Sequence, residues 1–142
     1  YDQQRAVDFF SKNKIDSINL VYNDQLMISL ADNIKKSWED TLGLKVNAQL
    51  TTQIDIQNYD TLLAYGSITS DPDQYLFWHS TQSKTNLTKI NHPPIDKLLE
   101  EGRQIFDLQE RKKIYQEFQK ILLEECPAIF LKFPTVYTVS RK

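Results

Sequence analysis

The sequence predicts an α/β fold in which a mixed β-sheet is flanked by helices. In three short stretches apolar residues alternate with polar ones, which is typical of strands with one buried face. Between these stretches apolar residues recur every three or four positions, as in amphipathic helices. The predicted order is helix, strand, helix, strand, strand, long loop, two helices and strand. This order favours a sheet whose strands are joined by right-handed crossovers.

The first half of the chain is predicted to contain two helices and three strands. The helices cover about residues 2–13 and a stretch that follows the N-cap residues Asn23 and Asp24 and ends at Gly43. The first two strands are the alternating stretches 18–22 and 44–50. The apolar run 62–65 is predicted to be a third strand, buried on both faces.

The second half begins with a long irregular region, roughly residues 66–94. A helix then starts at Pro93 or Pro94, because proline suits the first helical position. Asp107 and Glu110 form the start signal of the clearest amphipathic helix, which must end near Pro127. A fourth strand is expected over Ile129, Leu131 and Phe133, and a last extended segment over Thr135 to Ser140.

Composition narrows the possible classes of protein. The chain has 142 residues, of which 40% are hydrophobic and 25% charged, as in an ordinary globular domain, and we expect a single domain over residues 1–142. The net charge of -2 argues against nucleic-acid binding. The chain opens on Tyr1 without a methionine, so we expect it to be a piece of a longer protein and take no localisation from its first residues.

Motifs for catalysis and metal binding are weak. His79 and His92 are the only histidines, and they lack the spacing of a metal site. Cys126 lies between the strongest helix and a proline, where we expect it to pack as a small apolar residue. A hydrolase domain using His79 or Cys126 remains the alternative function. With only three glycines there is no phosphate-binding loop, and we expect no cofactor and no resident metal.

The charged residues of the second half are predicted to be structural. Asp71-Pro72-Asp73 has the composition of a turn, in which aspartate side chains bind nearby backbone amides. The charged residues between Lys97 and Lys113 are predicted to be mostly a solvated helix face. A third possibility, a pure interaction module, would use the helix Leu108–Glu124, but the narrow apolar stripe of this helix suffices only for its own core.

An aromatic segment in the long loop is the unusual feature. Long loops inside compact domains tend to be functional or disordered, and a loop rich in aromatic residues is a poor candidate for disorder. We expect Tyr75 and Phe77 to pack inward. Trp78 and His79 are better candidates for a ligand wall, because each has an apolar face and a polar group.

An ordered set of short motifs resembles the large peptide/nickel-type solute-binding proteins of ABC importers. The motifs are Leu62–Gly66, Ser70–Leu76, Trp78–Ser80, Asn86, Ile95–Leu99, Asp107, Arg111, Ile114–Tyr115, Phe118–Leu122 and Pro127–Leu131. Each motif is weak alone, but their order and spacing agree over nearly the whole chain.

The resemblance implies one lobe of a two-lobed, periplasmic-binding-protein-like fold without catalytic activity. Such proteins lie outside the cytoplasmic membrane, either periplasmic or lipid-anchored at the bacterial cell surface. They close around oligopeptides or other small solutes and deliver them to an ABC permease in the membrane. The first lobe of the same parent would lie outside this chain, and residues 135–142 would lead to the hinge.

The resemblance also implies a binding site. We expect it to include Tyr65, Gly66, Ser67 and Ile68 after the third strand, and Trp78, His79 and Asn86 in the long loop. Peptide binders of this family often carry an acidic residue three positions after the aromatic one, where it pairs with the free amine of the peptide. Ile68 occupies that position here, which makes blocked or nonstandard ligands more plausible. The family usually has a full helix before the third strand, and residues 51–60 are too few for a typical one. Either this helix is lost, or residues are missing from the sequence between Thr51 and Asp60.

Overall fold

The computed structural model describes residues 2–13, 15–55, 58–66, 70–132 and 140. The chain divides into two compact units, residues 1–68 and 69–142. Each unit has its own apolar core and is described by itself. The assignment of residues 1–142 to a single domain stays a prediction.

The described part of the first unit contains two helices and three strands. They are α1 (Gln3–Asn13), β1 (Ser17–Tyr22), α2 (Ile28–Leu42), β2 (Lys45–Leu50) and β3 (Thr61–Leu63). The Asp24 side chain accepts a hydrogen bond from the Leu26 amide and caps a short 3-10 turn that leads into α2. Gly43 ends α2 in the left-handed conformation, with φ of 69°, as its sequence position predicted.

The three strands form a parallel sheet in the order β2-β1-β3. Leu20 and Tyr22 of β1 and Val46 of β2 are buried on one face, where they pack with Met27 and with Ala31 of α2. Strand alternation leaves the other face more polar. A parallel sheet flanked by helices confirms the predicted α/β class.

The prediction for the third strand was too long. Only Thr61–Leu63 forms β3, which pairs with β1, and Leu63 alone in it is fully buried. Ala64 and Tyr65 lie beyond the strand and are exposed. The apolar run continues past the end of β1, where no backbone of β1 remains to pair with it. The described residues of 51–60 form no helix, as the shortness of this segment predicted.

The described part of the second unit is built on two long helices. Its elements are α3 (Tyr75–Trp78), α4 (Pro93–Gln104) and α5 (Leu108–Glu125). Pro93 opens α4, and the Asp107 carboxylate accepts hydrogen bonds from the amides of Gln109 and Glu110 at the start of α5. The core between the helices consists of Ile95, Leu99, Tyr115, Phe118 and Leu122.

The end of α5 corrects one prediction. Cys126 is exposed, not packed, and it caps the helix in the left-handed conformation with φ of 47°. The helix stops here because the next residue is Pro127, which cannot continue it.

The predicted fourth strand is absent from residues 129–132. Ile129 and Leu131 were predicted to lie on the buried face of a strand, but their side chains are 74% and 52% exposed. Alternation yields a strand only where another strand can pair with it, and no described residue does so here. Phe133 and nearly all of the predicted segment Thr135 to Ser140 lie outside the described residues.

Candidate ligand-binding site

Tyr65 and Gly66 follow the carboxyl end of β3 in the first unit. Tyr22 pairs with both Leu50 and Leu63, so all three strands end at the same edge of the sheet. Tyr65 is 53% exposed there. In open α/β sheets, ligands bind at the carboxyl ends of the strands, so this edge of the sheet is the favoured position for a ligand. Ser67 and Ile68 lie outside the described residues.

A concavity of the first unit lies on the polar face of the sheet. It has a volume of about 460 Å³ and is lined by Asn19, Val21, Asn47, Gln49, Asn58, Tyr59 and Asp60. Its lining residues belong to β1, β2 and the part of the connection that precedes β3. None of the described residues predicted to bind ligand lines this groove.

In the second unit, the turn before the aromatic segment is organised as predicted. The Asp71 carboxylate accepts a hydrogen bond from the Asp73 amide at 2.8 Å. The Asp73 carboxylate in turn accepts one from the Tyr75 amide at 3.0 Å. These two side chains bind backbone groups two residues further on, which is the local chemistry that makes aspartate common in turns. The turn leads directly into α3.

Two arginines connect this turn to the long helices. Both terminal nitrogens of Arg111 on α5 donate to the two carboxylate oxygens of Asp71, at 3.0 and 2.7 Å. Nε of Arg103 on α4 donates to Asp73 at 2.8 Å. Arg111 holds the pKa of Asp71 below its ordinary value, chiefly through these hydrogen bonds, and Asp71 raises the pKa of Arg111.

Tyr75 packs inward as predicted, whereas Phe77 does not. The guanidinium carbon of Arg103 lies 4.0 Å from the centre of the Tyr75 ring. The His79 ring also stacks on the Tyr75 ring, with the two ring centroids 4.1 Å apart. Phe77 is 40% exposed, because a one-turn helix that buries Tyr75 and Trp78 turns the intervening positions outward.

His79 is only 3% exposed in this unit. Its Nδ1 accepts a hydrogen bond from the Thr81 amide at 3.2 Å and lies 2.9 Å from the Thr81 hydroxyl oxygen. Nε2 lies 3.2 Å from a carboxylate oxygen of Glu100 on α4. The ring therefore links the aromatic segment to α4, and direct contact of His79 with a ligand stays a prediction.

Trp78 and Asn86 complete the predicted set in this unit. Trp78 is partly buried against the core between α4 and α5, and its ring centroid lies 6.4 Å from that of Phe130. Asn86 is 4% exposed, and its amide donates to the carbonyl oxygens of Ile90 at 2.8 Å and His79 at 3.4 Å. The structure thus joins His79 and Asn86 in one hydrogen-bonded loop. A ligand contact of Asn86 stays a prediction.

The contacts around the alternative catalytic residues are structural. The hydroxyl of Ser80, next to His79, donates to Asp96 of α4 at 2.5 Å, and Cys126 is a helix cap. Among the described residues, no three histidine, cysteine or acidic side chains are grouped to hold a metal ion. No helix in the described ranges is both long enough and apolar enough to cross a membrane.

Sequence reasoning missed the roles of Arg103 and Arg111, which it assigned to a solvated helix face. These two residues are exceptions to that mostly solvated face, because their side chains bind the turn. The available signal was the choice of cation. The other cations of α4 and α5 are lysines, such as Lys97 and Lys120, and arginine is the residue suited to paired hydrogen bonds with a carboxylate.

Comparisons with known proteins identify the class of fold. The structure of the oligopeptide-binding protein AppA from Bacillus subtilis, in complex with a nonapeptide, matches with a TM-score of 0.77 and 19% identity, over 89% of this chain and 30% of that one. The Escherichia coli murein tripeptide binding protein MppA matches with a TM-score of 0.73 and 23% identity, over 88% of this chain and 27% of that one. The chain therefore has the fold of part of a solute-binding protein.

The sequence comparison points to the same group of proteins. The chain is 26% identical over 121 residues to the oligopeptide-binding protein AppA of Bacillus subtilis (strain 168). No protein-family model matches the chain. The aligned region is 78% of this chain but only 21% of that relative, so the chain spans about a fifth of its length. The predicted resemblance to peptide-type solute-binding proteins is confirmed.

Proposed function

We propose that this chain is part of the binding lobe of an extracytoplasmic solute-binding protein, which delivers oligopeptides or a related small solute to an ABC transporter. The observation that carries the proposal is the relationship to an oligopeptide-binding protein, at 26% identity over most of the chain. The fold supports it, since solved peptide-binding proteins share it over 88% or more of this chain. The parent is periplasmic or tethered to the cell surface by a lipid.

The residues proposed to contact ligand lie in two segments, one in each unit. One is Tyr65 to Ile68, which follows the carboxyl end of β3, and the other contains Trp78, His79 and Asn86. Tyr65 is exposed beyond its strand, and Trp78 has a wide apolar ring with one hydrogen-bond donor, as suits a ligand wall. Backbone groups of these segments would read the main chain of a peptide and tolerate varied side chains. The two lobes would close around the ligand by a hinge motion.

Ile68 bears on the kind of peptide that is bound. A buried ammonium group without a partner is costly, and isoleucine offers no partner for the free amine of a peptide. We propose that the parent prefers ligands with a blocked or modified amine. Ile68→Asp should then shift its preference toward free-amine peptides, measured by calorimetric titration with matched acetylated and free peptides. An unchanged preference would contradict this detail and leave the binding function intact.

Binding and hydrolysis can be separated in one experiment. The purified parent is incubated with a mixture of synthetic dipeptides to nonapeptides and simple esters, and the products are followed by mass spectrometry. We expect retained, intact peptides and no turnover. Turnover that disappears on His79→Ala or Cys126→Ala would overturn the proposal in favour of a hydrolase.

A further inference from the structure

The aromatic segment that contains Trp78 has little capacity to hold its own conformation. Its helix, α3, has four residues, Tyr75–Trp78, which is a single turn. Helices this short are unstable alone, because nucleation costs more than one turn of hydrogen bonds returns. The orientation of Trp78 must therefore come from contacts of the segment with the rest of its unit.

One such contact is the pairing of Asp71 with Arg111. The two parallel hydrogen bonds fix the orientation of the turn as well as its distance from α5. The third donor group of Arg111, Nε, binds the carbonyl oxygen of Gly102 on α4 at 2.8 Å. A single side chain, 19% exposed, thus joins the turn, α4 and α5.

A second contact starts at Arg103. This side chain hydrogen-bonds Asp73 and lies over the ring of Tyr75, which stacks in turn on His79. Tyr75 lies three positions before Trp78 in the sequence, and His79 is the next residue after it. Holding both of these rings leaves Trp78 little freedom to rotate away.

We propose that Arg103 and Arg111 are positioning residues that set the orientation of Trp78 for ligand binding. This inference rests on the function proposed above. Neither arginine has to touch the ligand, because each acts through the turn 71–73 and the stacked rings. Arg111→Lys is the informative change, since lysine keeps the positive charge but cannot form the paired hydrogen bonds.

The test uses the full-length parent labelled with fluorotryptophan, in which the fluorine resonance of Trp78 is identified by its loss in Trp78→Phe. We expect Arg103→Lys and Arg111→Lys to shift and broaden this resonance. Lys97→Gln and Lys120→Gln, which remove exposed cations from the same two helices, should leave it in place. A resonance unchanged in both arginine variants would overturn the proposal, whatever ligand the parent binds.

Affinity provides the second readout. With a mixture of N-acetylated and free synthetic dipeptides to nonapeptides as the probe, each arginine variant should bind about tenfold more weakly, while the lysine controls bind as the unmodified parent does. A shifted resonance with unchanged affinity would overturn the link between positioning and binding. A parent that binds no peptide at all would instead count against the proposed function, since the resonance reports on Trp78 without any ligand.

Discussion

Arg111 and Asp71, forty positions apart in the sequence, form a two-point ion pair that connects the last long helix to the turn before the aromatic segment. The pair lies at the surface, with the Asp71 side chain 58% exposed. Surface ion pairs usually contribute little stability. The Arg111–Asp71 pair is important for geometry, since it fixes the position at which the segment containing Trp78 begins.

The first prediction concerns the titration of Asp71. Its pKa lies below the ordinary value of about 3.9, because Arg111 hydrogen-bonds the ionised carboxylate. The pair's contribution to stability is therefore present above the unfolded pKa and is lost as the pH falls through the lower, folded value. Carbon-detected NMR of the Asp71 carboxyl group measures this pKa directly.

Arg111→Gln supplies the comparison. It should raise the midpoint of Asp71 toward the ordinary aspartate value, while Lys120→Gln on the same helix should leave it lowered. Identical midpoints with and without Arg111 would be inconsistent with the pairing.

The second prediction concerns Gly102 of α4, which lies against the side chain of Tyr115 of α5. A Cβ atom at this position would lie 2.9 Å from Cζ of Tyr115, whose ring is buried in the core between the two helices. Overpacking typically costs about 1–3 kcal/mol, more than the roughly 0.5–1 kcal/mol that alanine gains over glycine in a helix. Gly102→Ala should lower the free energy of unfolding in a urea titration.

The double variant Gly102→Ala/Tyr115→Leu tests the cause. It should show less than the sum of the two single losses, because the smaller side chain removes the clash. A gain in stability from Gly102→Ala alone would mean that the two helices do not pack as closely as described.

The third prediction concerns the buried amide of Asn86. Its removal leaves the carbonyl oxygens of Ile90 and His79 without this donor, and an unsatisfied buried polar group costs about 1–3 kcal/mol. Asn86→Ala should therefore lower the free energy of unfolding by a similar amount, measured by thermal or urea unfolding. The exposed neighbour Asn91 provides the control, since Asn91→Ala should change stability little. Equal effects at both positions would refute a structural role for Asn86.

Local signals predicted most of the fold, because they depend on residues close in sequence. The capping side chain of Asp107, the left-handed Gly43 and the proline at the start of α4 all act within one helical turn. The segment 129–132 failed as a strand for the opposite reason: its pairing partner is a distant element that alternation cannot specify.

The site was harder to predict for the same reason. Local composition identified the turn Asp71–Asp73 and the aromatic segment. It could not predict that Arg103 and Arg111, 30 and 40 positions further on, would bind this turn. Nor could it predict that His79 would be buried between Tyr75 and Glu100. Such long-range pairs depend on how α4 and α5 pack against the loop.

In the proposed function, the parent protein captures a peptide-like solute with the help of Trp78. Native mass spectrometry of the freshly purified parent tests it most directly, by detecting bound small molecules and identifying them after release. We expect masses of peptides or modified peptides on the unmodified parent, and a clearly lower bound fraction in Trp78→Ala. A parent that carries no such molecule and gains none from added peptides, or a Trp78→Ala variant that is equally occupied, would contradict the account.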